Sequence, residues 1–310
     1  MRIYRYTSAE APLPRVAVAV DATAVDLERA WAGVSGKEPE RVERMPLVST
    51  DFLIKEGPWW WSEAAEVARS AGDHPETHVD LDNVTLLPPL APASLRDFLA
   101  FEDHVLRGAK RRGKDVPPYW YEAPVYYKGN HRAIIGPGDD CPWPPYSDSI
   151  DFELELAAVI GVGGRDISIE DAPAHIFGFT IFNDFSARDV QAKEMSAWLG
   201  PAKGKDFANA LGPCIVTADE LGAQPDLEMI CRVNGDEWGR ARSSDARWSW
   251  AEMVVHVSAG EDVWSGDVYG SGTPGGCCGV DLGRELEPGD VVELEIEGIG
   301  VLRNTVGARP

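Results

Sequence analysis

Asp184, Arg188 and Gln191 stand in the stretch NDFSARDVQ, directly after the apolar run HIFGFTIF. Spacings of four and three residues put an acid, a cation and an amide on one face of a helical turn, where a predicted strand has just ended. Such a face can hold an ion through its carboxylate and turn a guanidinium and an amide toward an anionic ligand. Asp184 could instead cap a helix opening at SARDVQ, with Arg188 as its i+4 partner.

A second set of acids lies in DFELELAAVIG. Alternation points Phe152, Leu154 and Leu156 one way and Asp151, Glu153 and Glu155 the other. The run then turns apolar on both faces from Ala157 to Ile160, which puts Glu153 and Glu155 at the entrance to a buried region. Facing carboxylates there need a cation, and oxygen-only ligands suit a hard one such as Mg2+, Mn2+ or Ca2+. An edge strand with a solvated acidic face is the competing reading. In ASLRDFLAFEDHVLRGAKRRG, Asp97 and His104 are seven residues apart, two turns along one face of a helix opening at Ser94. A metal-held acid and a base could then look into one cavity, or Asp97 could cap with Ser94 and His104 lie on the surface. Lys205 in GPAKGKDF and Thr273 in GSGTPGG sit in glycine-punctuated loops, and the second is rich enough in glycine for backbone N–H groups to face an anion.

These residues must be positioned by strands. APVYYKG, IFGFTIFND, LGPCIVTA, MICRVNGDEWGRA and DVVELEIEGIGVLRNTV read as strands, with a hairpin at Asn234-Gly235 and a turn at EPGD. Mostly antiparallel strands over this length predict an α+β fold that is mostly β, a mixed β-sandwich or β-roll with few helices. Ahead of it, MRIYRYTSAEAPLPRVAVAVDATAVDL reads as two short strands around a turn, and DLERAWAGV and WWWSEAAEVARSA read as helices, together a small α/β cap domain. Proline-rich LLPPLAPAS can continue neither a helix nor a central sheet, so the boundary falls there: residues 1–85 form the cap and residues 86–310 the catalytic domain. Trp59 to Trp61 serve either cap packing or an interface.

A chain of 310 residues, 44% hydrophobic, can bury a substantial core. Its formal net charge of -22 repels nucleic-acid phosphates and anionic membranes, which excludes both as partners. No apolar window reaches the length of a membrane span and no secretory signal opens the chain, which points to the cytoplasm. Five cysteines, Cys141, Cys214, Cys231, Cys277 and Cys278, show no zinc spacing and are odd in number, as expected of reduced thiols.

Taken in order, DFLAFEDH, DFELELAAVIG, NDFSARDVQ, GPAKGKDF and GSGT resemble the blocks of the fumarylacetoacetate hydrolase family, from about Asp97 to the C-terminus. The resemblance implies a β-roll catalytic domain, a homodimer, and a divalent metal, Mg2+ or Mn2+ with Ca2+ possible, that binds a small dicarbonyl acid. It implies Glu153, Glu155, Asp184 and Asp97 as metal ligands and His104 as the catalytic base. It also implies Arg188, Gln191 and Lys205 as catalytic polar residues, with Thr273 and Tyr127 binding substrate. Asp281 in GGCCGVDLGR resembles a family glutamate that orients the histidine, one methylene shorter, and must reach His104 directly or through water. Leu99 and Met195 replace tyrosines of fumarylacetoacetate-cleaving members, so that substrate is not assigned. The family arginine after the histidine corresponds to Arg107, Arg111 or Arg112. The function implied is a metal-dependent hydrolase cleaving a C–C bond in a 2,4-dioxo acid, with water activated by His104 and an enolate leaving. The alternative is a decarboxylase, isomerase or hydratase of a small 2-oxo acid, for example oxaloacetate, on the same metal site.

Overall fold

Leu154–Ile160 is a strand buried along its whole length, because strands flank both of its edges and apolar layers cover both of its faces. Leu154, Leu156, Ala158 and Ile160 pack into one hydrophobic cluster and Ala157 and Val159 into another. The edge-strand reading of DFELELAAVIG is thereby overturned. The computed structural model describes residues 1–20, 23–36 and 41–310.

The large sheet places Thr23–Asp26, Arg15–Val20, Arg2–Thr7, Asn209–Thr217, Ile176–Asp184, Leu154–Ile160, Asp267–Gly270, Ser94–Phe98 and Tyr126–Gly129 side by side in that order. All of these pairings are antiparallel except that of Asp267–Gly270 with Ser94–Phe98. A second sheet runs Asp236–Arg242, Glu228–Val233, Val291–Ile296, Gly300–Val306 and Asp140–Cys141. The two sheets share one core, in which Phe179, Ile181 and Val216 of the first meet Met229, Leu294 and Leu302 of the second. N-terminal helices cover the other face of the large sheet, burying Ala30, Leu53, Ile54, Ala64 and Val67. The fold is mostly β with a thin helical layer, as the alternation of the sequence predicts.

Local chemistry explains most of these elements. Asn234 and Gly235 adopt φ of 53° and 83°, the positive values that a tight primed hairpin turn requires. Helix Leu27–Ser35 starts where the Asp26 carboxylate accepts the Arg29 N–H at 2.8 Å and stops at Gly36, φ 66°. The N-terminal segment forms three strands rather than two, since Thr23–Asp26 folds back on Arg15–Val20. The turn joining them lies outside the described residues. Among the described residues, no helix is long and apolar enough to cross a membrane.

One expected helix is displaced. Ser94–Phe98 is a strand, and helix begins only at Glu102, running to Arg112. Parallel pairing with Asp267–Gly270 claims the backbone of the first segment, and Ala100 is then pinned through its N–H to Ser271 O and its carbonyl to Arg247 N, at 3.0 and 2.9 Å. Tertiary hydrogen bonds thus override a helical pattern that continued through it. What remains is a good helix: Glu102 and Asp103 in the first turn, Lys110, Arg111 and Arg112 in the last, and a left-handed Gly113 to end it.

Two of the three tryptophans pack: Trp60 against Trp31, with ring centroids 5.5 Å apart, and Trp61 against the large sheet. Trp61 Nε1 donates to Leu53 O at 3.1 Å, and its ring meets Phe177 edge-on at 4.7 Å, joining an N-terminal helix to the large sheet. Trp59 is exposed. Gly161 makes room for the contact, because a Cβ there would lie 2.5 Å from Trp61 Cη2 and 2.9 Å from Phe177 Cβ. Gly161→Ala is therefore expected to cost about 1–3 kcal/mol by overpacking, measured by denaturant unfolding. An unchanged midpoint would mean that Trp61 is free to move aside.

Candidate active site

Three strands of the large sheet aim carboxylates at a common point. Glu155 comes from the central strand, with Glu153 just before it; Asp184 is the last residue of Ile176–Asp184; Asp97 lies opposite both Gly270 and Tyr127 in the register. Oxygens from Asp97, Glu153, Glu155 and Asp184 all fall within 4.8 Å of one another, and all four residues are buried. Gly270 is required here, since a Cβ would lie 2.6 Å from Glu155 Oε2 and 2.9 Å from Asp97 Oδ1.

Two cations sit among the acids. Lys205 Nζ donates to Glu153 Oε2 at 2.5 Å and to Asp184 Oδ2, and is itself buried. Arg188 donates through Nη2 to Glu153 Oε1 at 2.9 Å and to Asp151 Oδ2 at 2.7 Å, and through Nη1 to Gln191 Oε1 at 3.1 Å. The sequence reading placed Asp184, Arg188 and Gln191 on one helical turn. Only the last two share it, because Asp184 ends a strand and the helix starts at Arg188. Arg188 accordingly pairs with Asp151 and Glu153 and not with Asp184.

Burial would raise the Glu153 carboxyl, but Arg188 and Lys205 hold it below the usual carboxylate range. Asp97 and Glu155 are driven well above that range, first by burial and then by neighbouring carboxylates. Asp184 is raised by burial despite Lys205. Asp97 Oδ1, Glu155 Oε1 and Asp184 Oδ1 are buried and have no hydrogen-bond partner among the described residues. Four acids with two cations, and an orphaned oxygen on each of three of those acids, fit a hard divalent cation. Asp97, Glu155 and Asp184 would hold it, with Glu153 beside them.

Supporting contacts keep those ligands in place. Tyr127 donates its hydroxyl to Asp184 Oδ2 at 2.8 Å, and the Gly272 N–H donates to Glu155 Oε2 at 2.9 Å. Thr273 is buried and its hydroxyl donates to Cys277 O at 3.1 Å, within its own turn. Asp151, which sequence reasoning left without a role, accepts the N–H groups of Gly279 and Val280 at 2.7 and 2.9 Å as well as Arg188. The alternation of DFELE was the signal for it. Leu99 is half-buried and Met195 exposed.

Beside the cluster, His104 Nδ1 lies 2.8 Å from Asp281 Oδ2, so the shorter acid reaches the imidazole directly. Asp97 and His104 do not share a helix; the first is on a strand and the second three residues into the helix Glu102–Arg112. Arg111, among the three arginines considered, donates to Asp281 Oδ1 at 2.5 Å, whereas Arg107 pairs with Asp103. Burial would raise Asp281, but hydrogen bonds from His104, Arg111 and the Gly276 N–H hold it at about 2. The loop that carries Asp281 is tied to the acidic cluster through the backbone bridge between Cys278 and Glu153.

The chain belongs to the fumarylacetoacetate hydrolase family: the model of the Fumarylacetoacetate (FAA) hydrolase C-terminal matches residues 94–307. It is 30% identical to the mitochondrial oxaloacetate tautomerase fahd2 of Xenopus laevis over 317 residues, 99% of this chain and 90% of that protein. It is 37% identical over 190 residues to oxaloacetate tautomerase FAHD2A, mitochondrial, of Bos taurus, a match that spans 59% of each chain. Among solved structures it resembles a fumarylacetoacetate hydrolase from psychrophilic Exiguobacterium antarcticum, with a TM-score of 0.73, 27% identity and full coverage of both chains.

Because three of the four acids are raised, the ion-free site retains protons at pH values where free carboxylates have lost them. A divalent cation must displace those protons, so its apparent affinity is expected to rise with pH. Calorimetric titration of Mn2+ in buffers of different ionisation enthalpy measures the release directly, and a heat independent of buffer would contradict the assignment. Glu155→Gln is expected to weaken Mn2+ binding by at least about a hundredfold, more than loss of an outer-layer partner costs.

Proposed function

We propose that this chain is a divalent-cation-dependent enzyme that moves a proton at the carbon beside the keto group of a small 2-oxo acid, interconverting the keto and enol forms of an oxaloacetate-type dicarboxylic acid. The observation that carries the reading is a single imidazole, His104, held at Nδ1 by Asp281 beside the four-carboxylate cluster. Likeness to oxaloacetate tautomerases over almost the whole chain supports the substrate class.

A bound dication would supply Lewis-acid polarisation of the substrate's keto oxygen. Everything else falls to the chain. With its Nδ1–H donated to Asp281, His104 presents Nε2 as the proton acceptor, and the Asp281 carboxylate stabilises the imidazolium that results. The same nitrogen returns the proton to carbon or oxygen, completing the tautomerisation without breaking a C–C bond. Lys205 and Arg188 keep Glu153 ionised, and Gln191, whose Oε1 is spent on Arg188, has its amide N–H groups to offer a substrate oxygen. Glu153 and Asp151 hold the Arg188 guanidinium at the edge of the cluster.

A second reading draws on the same His104–Asp281 pair. Nε2 could take a proton from water instead of carbon, and the hydroxide would then attack a carbonyl of a 2,4-dioxo acid and cleave it. One panel separates the two. With Mg2+ or Mn2+ present, the decay of enol-oxaloacetate absorbance should run faster than the metal-only background, without release of pyruvate. Cleavage of acylpyruvates with oxaloacetate tautomerisation at background would replace the first reading with the second.

His104→Ala is expected to lower kcat/KM at least about a hundredfold, the scale of a lost general base, while Mn2+ binding stays unchanged. Undiminished turnover would move the base elsewhere. Asp281→Asn should cost about ten- to a thousandfold with ion binding intact, reflecting loss of a charge-assisted hydrogen bond to the base. Recovery in Asp281→Glu would distinguish orientation of the imidazole from a merely structural role.

A further inference from the structure

The cysteines show no zinc spacing along the chain, yet folding brings one of them to a histidine and an acid. Cys278 Sγ lies 3.9 Å from His104 Nδ1, and that nitrogen lies 2.8 Å from Asp281 Oδ2. The three ligand atoms fall within 4.8 Å of one another, apart from the carboxylate cluster. We propose that His104, Cys278 and Asp281 form a second cation site that takes Zn2+ and silences the imidazole.

Donor chemistry separates the two sites. The first offers only carboxylate oxygens, which suit hard cations, whereas a nitrogen, a sulfur and one oxygen suit Zn2+. The two separations from Nδ1 are close to what zinc needs. A tetrahedral ion with bonds of roughly 2.0–2.3 Å wants ligand atoms roughly 3.3–3.7 Å apart, so sulfur and nitrogen must close by a few tenths of an ångström and nitrogen and oxygen open by about half of one. The backbone is well placed for this. Cys278 bridges to Glu153, and the Cys277 carbonyl accepts from Leu154 N at 3.2 Å, which anchors the cysteine to the central strand. Asp281 would trade its contacts with His104 and the Gly276 N–H for the ion while keeping Arg111 on Oδ1. Three protein ligands leave a fourth position for water or a substrate carboxylate.

Occupancy would switch a tautomer. In the resting pair Nδ1 carries the proton and Nε2 is free to accept one. With zinc on Nδ1, a neutral imidazole must carry its proton on Nε2, which becomes a donor and is useless as a base. The inhibitory half of this inference rests on His104 being the base of the proposed reaction; the binding half does not.

The test fills the carboxylate cluster with excess Mg2+ and titrates Co2+ as a coloured substitute for zinc. The wild type should show a near-ultraviolet thiolate-to-cobalt charge-transfer band and strong visible bands of a four-coordinate ion. Cys278→Ser and Cys278→Ala should lack the charge-transfer band. Cadmium NMR of the wild-type protein reads the same ligand without any variant, through the downfield shift that a sulfur ligand causes. Zn2+ should then inhibit the Mg2+-loaded wild type at a concentration at least about tenfold below that needed for Cys278→Ser, the scale of losing a ligand-side contact, while uninhibited turnover of the two is the same. A band that persists in both variants, or a cadmium shift typical of oxygen ligands, would overturn the site. Equal zinc sensitivity of wild type and variant would assign inhibition to the carboxylates and overturn the switch. If oxaloacetate is not turned over at all, the spectra still decide the site, and only the reading of function falls.

Discussion

Mutual repulsion among four buried carboxylates is the constraint around which this molecule is built. Two such charges about 4 Å apart in a protein environment repel by about 4 kcal/mol, and desolvation adds to that. Lys205 and Arg188 compensate Glu153, and hydrogen bonds from Tyr127 and the Gly272 N–H serve Asp184 and Glu155. Asp97, Glu155 and Asp184 are left holding protons that a divalent cation would displace. A site of this kind stores its own demand for a ligand: the same burial that makes it costly when empty makes it selective for a small hard ion.

The architecture follows from holding those groups still. Carboxylates mounted on strands of one sheet cannot drift relative to each other, since backbone hydrogen bonds fix the register and two hydrophobic clusters clamp both faces. Gly270 shows how tightly the backbone approaches, with space for the acids only because it has no side chain. His104 is mounted differently, on a helix that leaves the sheet after Ala100, and it is Asp281, itself held by Arg111, that fixes the imidazole. The Glu153–Cys278 bridge joins the loop carrying Asp281 to the strand carrying the acids, so that the base and the cluster are referenced to one backbone.

One base beside a Lewis-acid site supports more than one reaction. Taking a proton from carbon leads to tautomerisation, and taking it from water leads to cleavage; the difference lies in which atom the substrate presents to Nε2. Residues farther out, such as half-buried Leu99 and exposed Met195, bear on the shape of the bound acid more than on the proton chemistry.

Much of the site was legible in the chain because it is written in short-range chemistry. Period-two alternation through DFELEL and an apolar run ending in Asn-Asp placed Glu153, Glu155 and Asp184 on strands, and the Asn234-Gly235 hairpin announced itself by residues that tolerate positive φ. Ordered blocks were enough for the family. The strand at Ser94–Phe98 was not legible, because its hydrogen bonds go to a segment more than 170 residues away while its local pattern continues into a helix. Nor were the pairings of Arg188 with Asp151, of Arg111 with Asp281, or of Cys278 with His104. Each joins residues far apart in the chain, and local periodicity carries no information about which distant side chain will occupy the space at its tip. Residue type alone determined what chemistry the groups could do; only the packing of strands and loops decided which of them would meet.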